Sequence, residues 1–237
     1  INCLFFFSSF DAISQTNVLG KPGYLMTPAS RWEAGRRDLV LGLAYIPEKF
    51  AINNFMKAPF QELMIHGNID IFDFLRLGVN LTYLPDIPQR IGIGDRHFDL
   101  SIRVWKEKKW LPSLMLILTP PIGVADFLTH NVAVMTKTIS WNAAERLEFS
   151  AGYGMDKVFF NTSAPTSQGR SYDFVSRSEM GNFYLNGFFS GMKYSPATWF
   201  GLILEYDSRQ FHAAAHFLIW KKLALQTSWY GFEQWGG

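Results

Sequence analysis

Between Phe74 and Leu84 the odd positions carry Leu75, Leu77, Val79, Leu81 and Tyr83, and the even ones Arg76, Gly78, Asn80 and Thr82. A β-strand sends successive side chains to opposite faces, so this segment has one apolar face and one polar face. Eleven strand-like segments can be laid out, at 38–46, 61–71, 74–84, 96–106, 111–119, 130–140, 146–156, 183–194, 199–207, 210–220 and from 223 towards Trp235. The alternation is clean in most of them; in the seventh, Leu147, Phe149, Ala151, Tyr153 and Met155 oppose Arg146, Glu148, Ser150 and Gly152. Segment 111–119 is apolar on both faces and 183–194 is ambiguous, so neither declares a facing. Lys137 stands among apolar neighbours in the sixth.

The connections carry an independent signal. Short turns fall at 72–73, 107–109, 142–144, 195–197 and 221–222, and longer loops at 47–60, 85–95, 120–129 and 157–182. Only the connection near Ser208 is short where a long one is due. Short turns on one rim and long loops on the other describe an outer-membrane type of barrel. Trp32, Trp105, Trp110, Trp141, Trp199 and Trp220 all fall near the short-turn rim, as an interfacial girdle requires.

The polar face carries full charges at mid-strand: Glu62, Asp70, Arg76, Asp99, Arg103, Arg146, Glu148 and Glu205. The opposite face uses large apolar residues. The expected arrangement is therefore apolar out and charged in, with Glu62, His66, Asp70, Arg76, Asn80, His97, Asp99, Arg103, Arg146, Glu148, Glu205, His212 and His216 lining a lumen. The fold class is all-β, an antiparallel transmembrane β-barrel of about twelve strands. Eleven are readable, and closed bacterial barrels have even counts. A last strand beyond Gly237, the segment Gly23 to Pro28, or a misread element supplies the twelfth.

Charge excludes a nucleic-acid footprint: 22 basic side chains face 20 acidic ones. Residues 1–14 combine a Phe-rich apolar run with Ala12-Ile13-Ser14 and read as the remnant of a secretory signal, the alternative being a short buried first strand. Cys3, the only cysteine, lies in that run, so the mature chain is expected to be cysteine-free. Residues 15–37 then form an N-terminal periplasmic or lumen segment and 38–237 the barrel. The longest greasy stretch, 111–125, is interrupted by Pro112, Pro120 and Pro121 and is too short for a membrane helix. A membrane location therefore requires a barrel.

The stretch Gly94-Asp95-Arg96-His97-Phe98-Asp99-Leu100-Ser101-Ile102-Arg103, with Lys106-Glu107 and Leu111-Pro112-Ser113-Leu114, resembles the YjbH-like exopolysaccharide-biosynthesis outer-membrane proteins. So do Gly20-Lys21-Pro22-Gly23-Tyr24-Leu25-Met26-Thr27-Pro28-Ala29-Ser30-Arg31 and the Gly152-Tyr153-Gly154 of the seventh segment. The resemblance is clearest over 20–156. Family members are usually longer, so the match is to their first barrel. It implies an outer-membrane barrel of a Gram-negative bacterium, associated with making or exporting extracellular polysaccharide, and supplies no catalytic residues.

Site chemistry is sparse. His212 and His216 share a strand face but lie roughly 13 Å apart, too far for one metal. His66, His97 and His130 have no second ligand at useful spacing. Asp99, Glu148 and Glu205 show no pairing of the kind glycoside hydrolysis needs. No catalytic, cofactor or metal residues are assigned. The loop 157–182, with Arg170, Tyr172, Phe174 and Arg177, is the candidate for contact with sugars. The expected function is non-enzymatic assistance to export or surface assembly of exopolysaccharide. Its partners are outer-membrane lipid, polysaccharide and other export components, with no nucleic acid. A barrel enzyme of the lipid-hydrolase type and a soluble lipid-binding barrel are the alternatives.

Overall fold

The computed structural model describes residues 5–8, 15–30, 39–52, 54–55, 58–87, 92–124, 128–161, 171–179, 184–220 and 223–237. Its main sheet closes on itself. The strands are β1 (Phe5–Ser8), β2 (Leu39–Ile46), β3 (Glu62–Phe72) and β4 (Leu75–Tyr83). They continue with β5 (Ile93–Trp105), β6 (Ser113–Leu118), β7 (Asn131–Ser140) and β8 (Arg146–Gly154). The ring is completed by β9 (Gly187–Ala197), β10 (Phe200–Tyr206), β11 (Phe211–Ile219) and β12 (Leu223–Tyr230). Each strand pairs antiparallel with its sequence neighbour, and β1 pairs with both β2 and β12.

All eleven expected strands are present. The twelfth comes from the start of the chain: Phe6 faces Gly42 on one side and Ala224 on the other. Gly23 and Pro28 do not supply it. They form an isolated bridge inside the barrel, because a stretch holding Pro22, Pro28 and two glycines cannot offer a continuous ladder of N–H donors. A further short strand, Gln234–Gly236, extends the sheet beside β12, with Trp235 stacked on Trp229 at 5.6 Å.

Facing follows the alternation. Leu202 and Phe149 are 49% and 43% exposed on the outside, whereas Arg76 and Glu148 are 1% and 5% exposed inside. The two undeclared segments resolve the same way. In β6 Ser113, Met115 and Ile117 turn in; in β9 Phe189, Gly191, Lys193 and Ser195 turn in, and a bulge near Tyr194–Ala197 adjusts the register to β10. The short turn there is accordingly 198–199, not 195–197, which stays in strand. Lys137 points out near the short-turn rim, where its ammonium reaches Glu107 at 2.7 Å and the Lys108 carbonyl at 2.8 Å. A long side chain thus carries its charge off the apolar face. Trp110, Trp141, Trp199 and Trp220 stand exposed at this end, and Trp105 donates to the Pro112 carbonyl at 2.7 Å. Trp32 lies outside the described residues.

Candidate functional site: a plugged polar lumen

The barrel is not empty. Residues 16–30 are buried throughout and form a compact plug that enters from the short-turn end and returns there. Its fold is internal to itself: Asn17 Oδ1 accepts from the amides of Leu19 and Lys21, at 3.0 and 2.9 Å, while its Nδ2 donates to the Met26 carbonyl at 2.9 Å. Val18 N–H donates to Leu25 O, and Ala29 N–H to Pro22 O, both at 2.9 Å. One asparagine thereby closes the loop that the prolines and glycines bend.

The tip is cradled by one carboxylate. Glu205 on β10 accepts from the backbone amides of Leu25, Met26 and Thr27 at 3.1, 2.6 and 3.2 Å, and from the Thr27 hydroxyl at 2.8 Å. Tyr184, in the long connection before β9, donates its hydroxyl to the Met26 carbonyl. Halfway down, the Lys21 ammonium meets Asp99 Oδ2 on β5 at 2.7 Å, both side chains almost fully buried. Asp99 also receives Asn80 Nδ2 and the Thr119 hydroxyl, each at 2.6 Å, and stands 3.2 Å from His97 Nε2. Burial pushes the Lys21 ammonium below its ordinary value, and the Asp99 carboxylate opposes that shift. Tyr24 and Ser150 share a hydrogen bond of 2.9 Å, and Thr16 and His66 one of 3.2 Å. At the short-turn end the Ser30 hydroxyl lies 2.6 Å from that of Ser113, and Ser30 N–H donates to Thr136 Oγ1 at 2.7 Å.

Small residues make room for this insertion. Gly20 sits at φ +73°, in the left-handed region, and a methyl there would strike Asn80 Oδ1 and the His66 side chain. Gly20→Ala should lower the unfolding free energy by about 2 kcal/mol or more, from left-handed strain and overpacking together. Urea titration of the purified protein reads it, and an unchanged midpoint would show that the plug is not seated.

The expected lumen residues are all placed inside. Glu62, His66, Asn80, His97, Asp99, Glu205, His212 and His216 are buried, as are Asp70, Arg76, Arg103 and Glu148; Arg146 is partly exposed at the rim. They are organised as local pairs. Arg76 Nε and Nη2 clamp Asp70 at 2.6 and 3.0 Å, Arg146 lies 3.3 Å from Glu148, and His212 lies 3.1 Å from Asp207. His66, Asn80, His97, Asp99 and Glu205 meet the plug directly or in one step. That convergence was not visible in the sequence.

The loop residues divide. Phe159, Tyr172 and Phe174 stack on a two-stranded hairpin, Lys157–Asn161 with Tyr172–Ser176, beyond the long-loop rim. Phe159 lies 5.3 Å from each of the other two rings, and Phe174 is 67% exposed. Arg177 does not join them. It is fully buried, and its guanidinium donates to the carbonyls of Tyr184 and Leu185 at 2.6 and 3.1 Å. Burial brings its pKa down to about 10, so it remains a cation holding the loop that in turn holds the plug tip. Arg170 lies outside the described residues. Asp156 fixes the hairpin base by accepting from Ser176 Oγ at 2.6 Å, Ser178 N–H at 2.9 Å and Asn186 Nδ2 at 2.7 Å.

His130, before β7, is fully buried. Burial, then the Lys21 ammonium, holds its imidazole well below the ordinary value, against the opposing pull of Asp99. The folded protein therefore refuses a proton that the unfolded chain accepts below about pH 6.5. This contribution to stability is complete above that pH, and below it is lost progressively until the pH reaches the lowered folded value. The urea midpoint should drop between about pH 7.5 and pH 5.5, and the drop should be smaller in His130→Gln. Equal pH slopes in the two proteins would remove His130 from the account.

The family model for the YjbH exopolysaccharide biosynthesis protein matches residues 15–229. The chain belongs to this family. The match begins at the plug and runs through nearly all of β12, so it takes in the plug and eleven of the twelve ring strands, with β1 lying before its start. No curated protein and no solved structure matches the chain.

Proposed function

We propose that this YjbH-family barrel sits in the outer membrane of a Gram-negative envelope and assists, without catalysis, the export or surface assembly of exopolysaccharide. One observation carries the reading: a closed barrel turns its apolar side chains outward between exposed aromatic rims, and encloses its charges. Most strands have 8–13 residues, bracketing the roughly 9–11 that a tilted crossing of the hydrocarbon layer takes. Leu39, Leu41, Ile65, Val79 and Leu204 would each face acyl chains.

The alternatives fare worse on particular residues. A soluble lipid carrier would need an apolar interior, whereas this one is packed with carboxylates, cations and the plug. A lipid hydrolase acting at the outer face would need an outward Ser–His pair, and all five histidines are buried. The Phe159–Tyr172–Phe174 rings, beyond the long-loop rim, supply stacking faces that suit sugar rings.

Deleting the gene should remove most surface polysaccharide, and expression of the intact chain should restore it. The chain should fractionate with outer membranes and migrate faster on gels before boiling than after. An unchanged glycan coat, or extraction without detergent, would overturn the reading.

A further inference from the structure

The inward charges are segregated along the barrel axis. Near the short turns the inward cations are Arg76, Arg103, Arg146 and Lys193, against the carboxylates Asp70 and Glu148. Towards the long loops carboxylates outnumber cations, with Glu62, Asp95, Glu205 and Asp207 buried and Arg177 a buried cation among them. An anion approaching along the axis is therefore attracted at one mouth and repelled from the other.

One wall of the basic mouth also carries unpaired nitrogens. The Lys193 side chain lies over Gly201, whose own strand partner is His216, and His216 is paired in turn with Gln226. Lys193 donates to Gln15 Oε1, and Gln15 Nε2 donates to Gln226 Oε1 at 3.2 Å, so these side chains form one patch. His216 is 7% exposed and Gln226 1%, yet His216 Nε2 and Gln226 Nε2 meet no partner among the described residues. A buried polar nitrogen left without a partner is costly, and an incoming hydroxyl or carboxylate would supply the partner.

The geometry points to a binding site at the short-turn mouth, built from Arg146, Lys193, His216 and Gln226, for a carboxylate-bearing saccharide. Arg146 and Lys193, while keeping their contacts to Glu148 and Gln15, supply the positive field that draws the carboxylate; the Gln226 amide donates to its oxygens, and the imidazole nitrogen pairs with a ring hydroxyl. The acidic half beyond keeps the anionic chain at this mouth, so the site holds its ligand rather than conducting it. This inference rests on the polysaccharide reading above and deepens it to a substrate class.

The test uses the purified full chain in neutral detergent, with polygalacturonate as probe and dextran as its uncharged counterpart. At low salt polygalacturonate should be retained about tenfold more strongly than dextran, and the difference should shrink at high salt. Arg146→Gln with Lys193→Met should abolish that preference, as should His216→Phe with Gln226→Leu. Lys108→Gln with Lys109→Gln, on the exposed turn at the same end, should keep it within about twofold, because exposed charges are screened. Arg146→Gln alone, at a partly exposed rim position, covers the case in which the buried variants do not fold. Equal retention of both polymers, or a preference indifferent to the mouth variants, overturns the anionic site while leaving the export reading intact. A preference lost only with the turn lysines overturns it in favour of rim contact. Export itself falls only if gene deletion spares the surface glycan.

Discussion

Replacing residues 16–30 by a Gly/Ser linker of equal length should turn a closed barrel into an open pore. In planar bilayers or liposome-swelling assays, ion flux should rise by about an order of magnitude or more over the parent protein. The plug contributes Val18, Leu19, Tyr24, Leu25 and Met26 to the buried apolar cluster, against Met115, Ile117 and Val134 of the wall. It also satisfies Glu205 with four donors and Asp99 with an ammonium. Both plug ends lie at the short-turn end, so its replacement does not rethread the ring. The freed wall groups are charged and would hydrate rather than collapse. A complementary lock is available, since the hydroxyls of Ser30 and Ser113 lie within 2.6 Å and cysteines at both positions are in reach of a disulfide. Oxidised Ser30→Cys/Ser113→Cys should block surface glycan if the plug must move, and reductant should release the block. Liposomes that stay tight after plug replacement would mean that the wall itself seals the lumen; export indifferent to the lock would mean that the plug is static.

What could be read from the sequence was whatever repeats with period two. The facing of Leu75 to Tyr83 follows from alternation alone, since one face must be apolar wherever lipid or a core covers it. Where both faces are apolar, as at Leu114 to Leu118, period carries nothing, and only the finished ring assigns Met115 and Ile117 to the inside. The plug was illegible for a different reason. Gly20-Lys21-Pro22-Gly23 and Thr27-Pro28 mark turns, but turns do not state which wall they will meet. Its contacts to Glu205 and Asp99 join residues some 180 and 80 positions apart. Strand β1 was hidden by composition: a Phe-rich apolar run ahead of Ala12-Ile13-Ser14 reads first as the tail of a secretory signal, with a short strand only as the alternative. Arg177 shows the limit for single residues. An arginine among Ser and Tyr in a long loop looks available to a ligand, yet here it is consumed by two backbone carbonyls.

Lys21→Met should destabilise the protein by about 3–5 kcal/mol in urea titrations, the cost of leaving one member of a buried ion pair without the other. The value should fall towards the lower end, because Asp99 keeps Asn80, Thr119 and His97 as neighbours. Asp99→Asn should cost more, since the buried Lys21 ammonium would then lose its countercharge and keep neutral acceptors, such as the Leu19 carbonyl at 3.4 Å. Combining the two should recover much of the loss, leaving the double variant within about 2 kcal/mol of the parent, as other buried pairs do when both charges are withdrawn. The downward pull of burial on the Lys21 ammonium points the same way, because a charge disfavoured in place is held there by its partner rather than by its surroundings. The cycle also separates stability from seating. If the pair anchors the plug, ion flux through Lys21→Met should rise under conditions where the barrel itself remains folded, and the double variant should be tight again. A midpoint that ignores Lys21→Met, or a double variant no better than Asp99→Asn alone, would show that the ammonium and carboxylate are separately solvated and that the plug rests on its backbone contacts with Glu205.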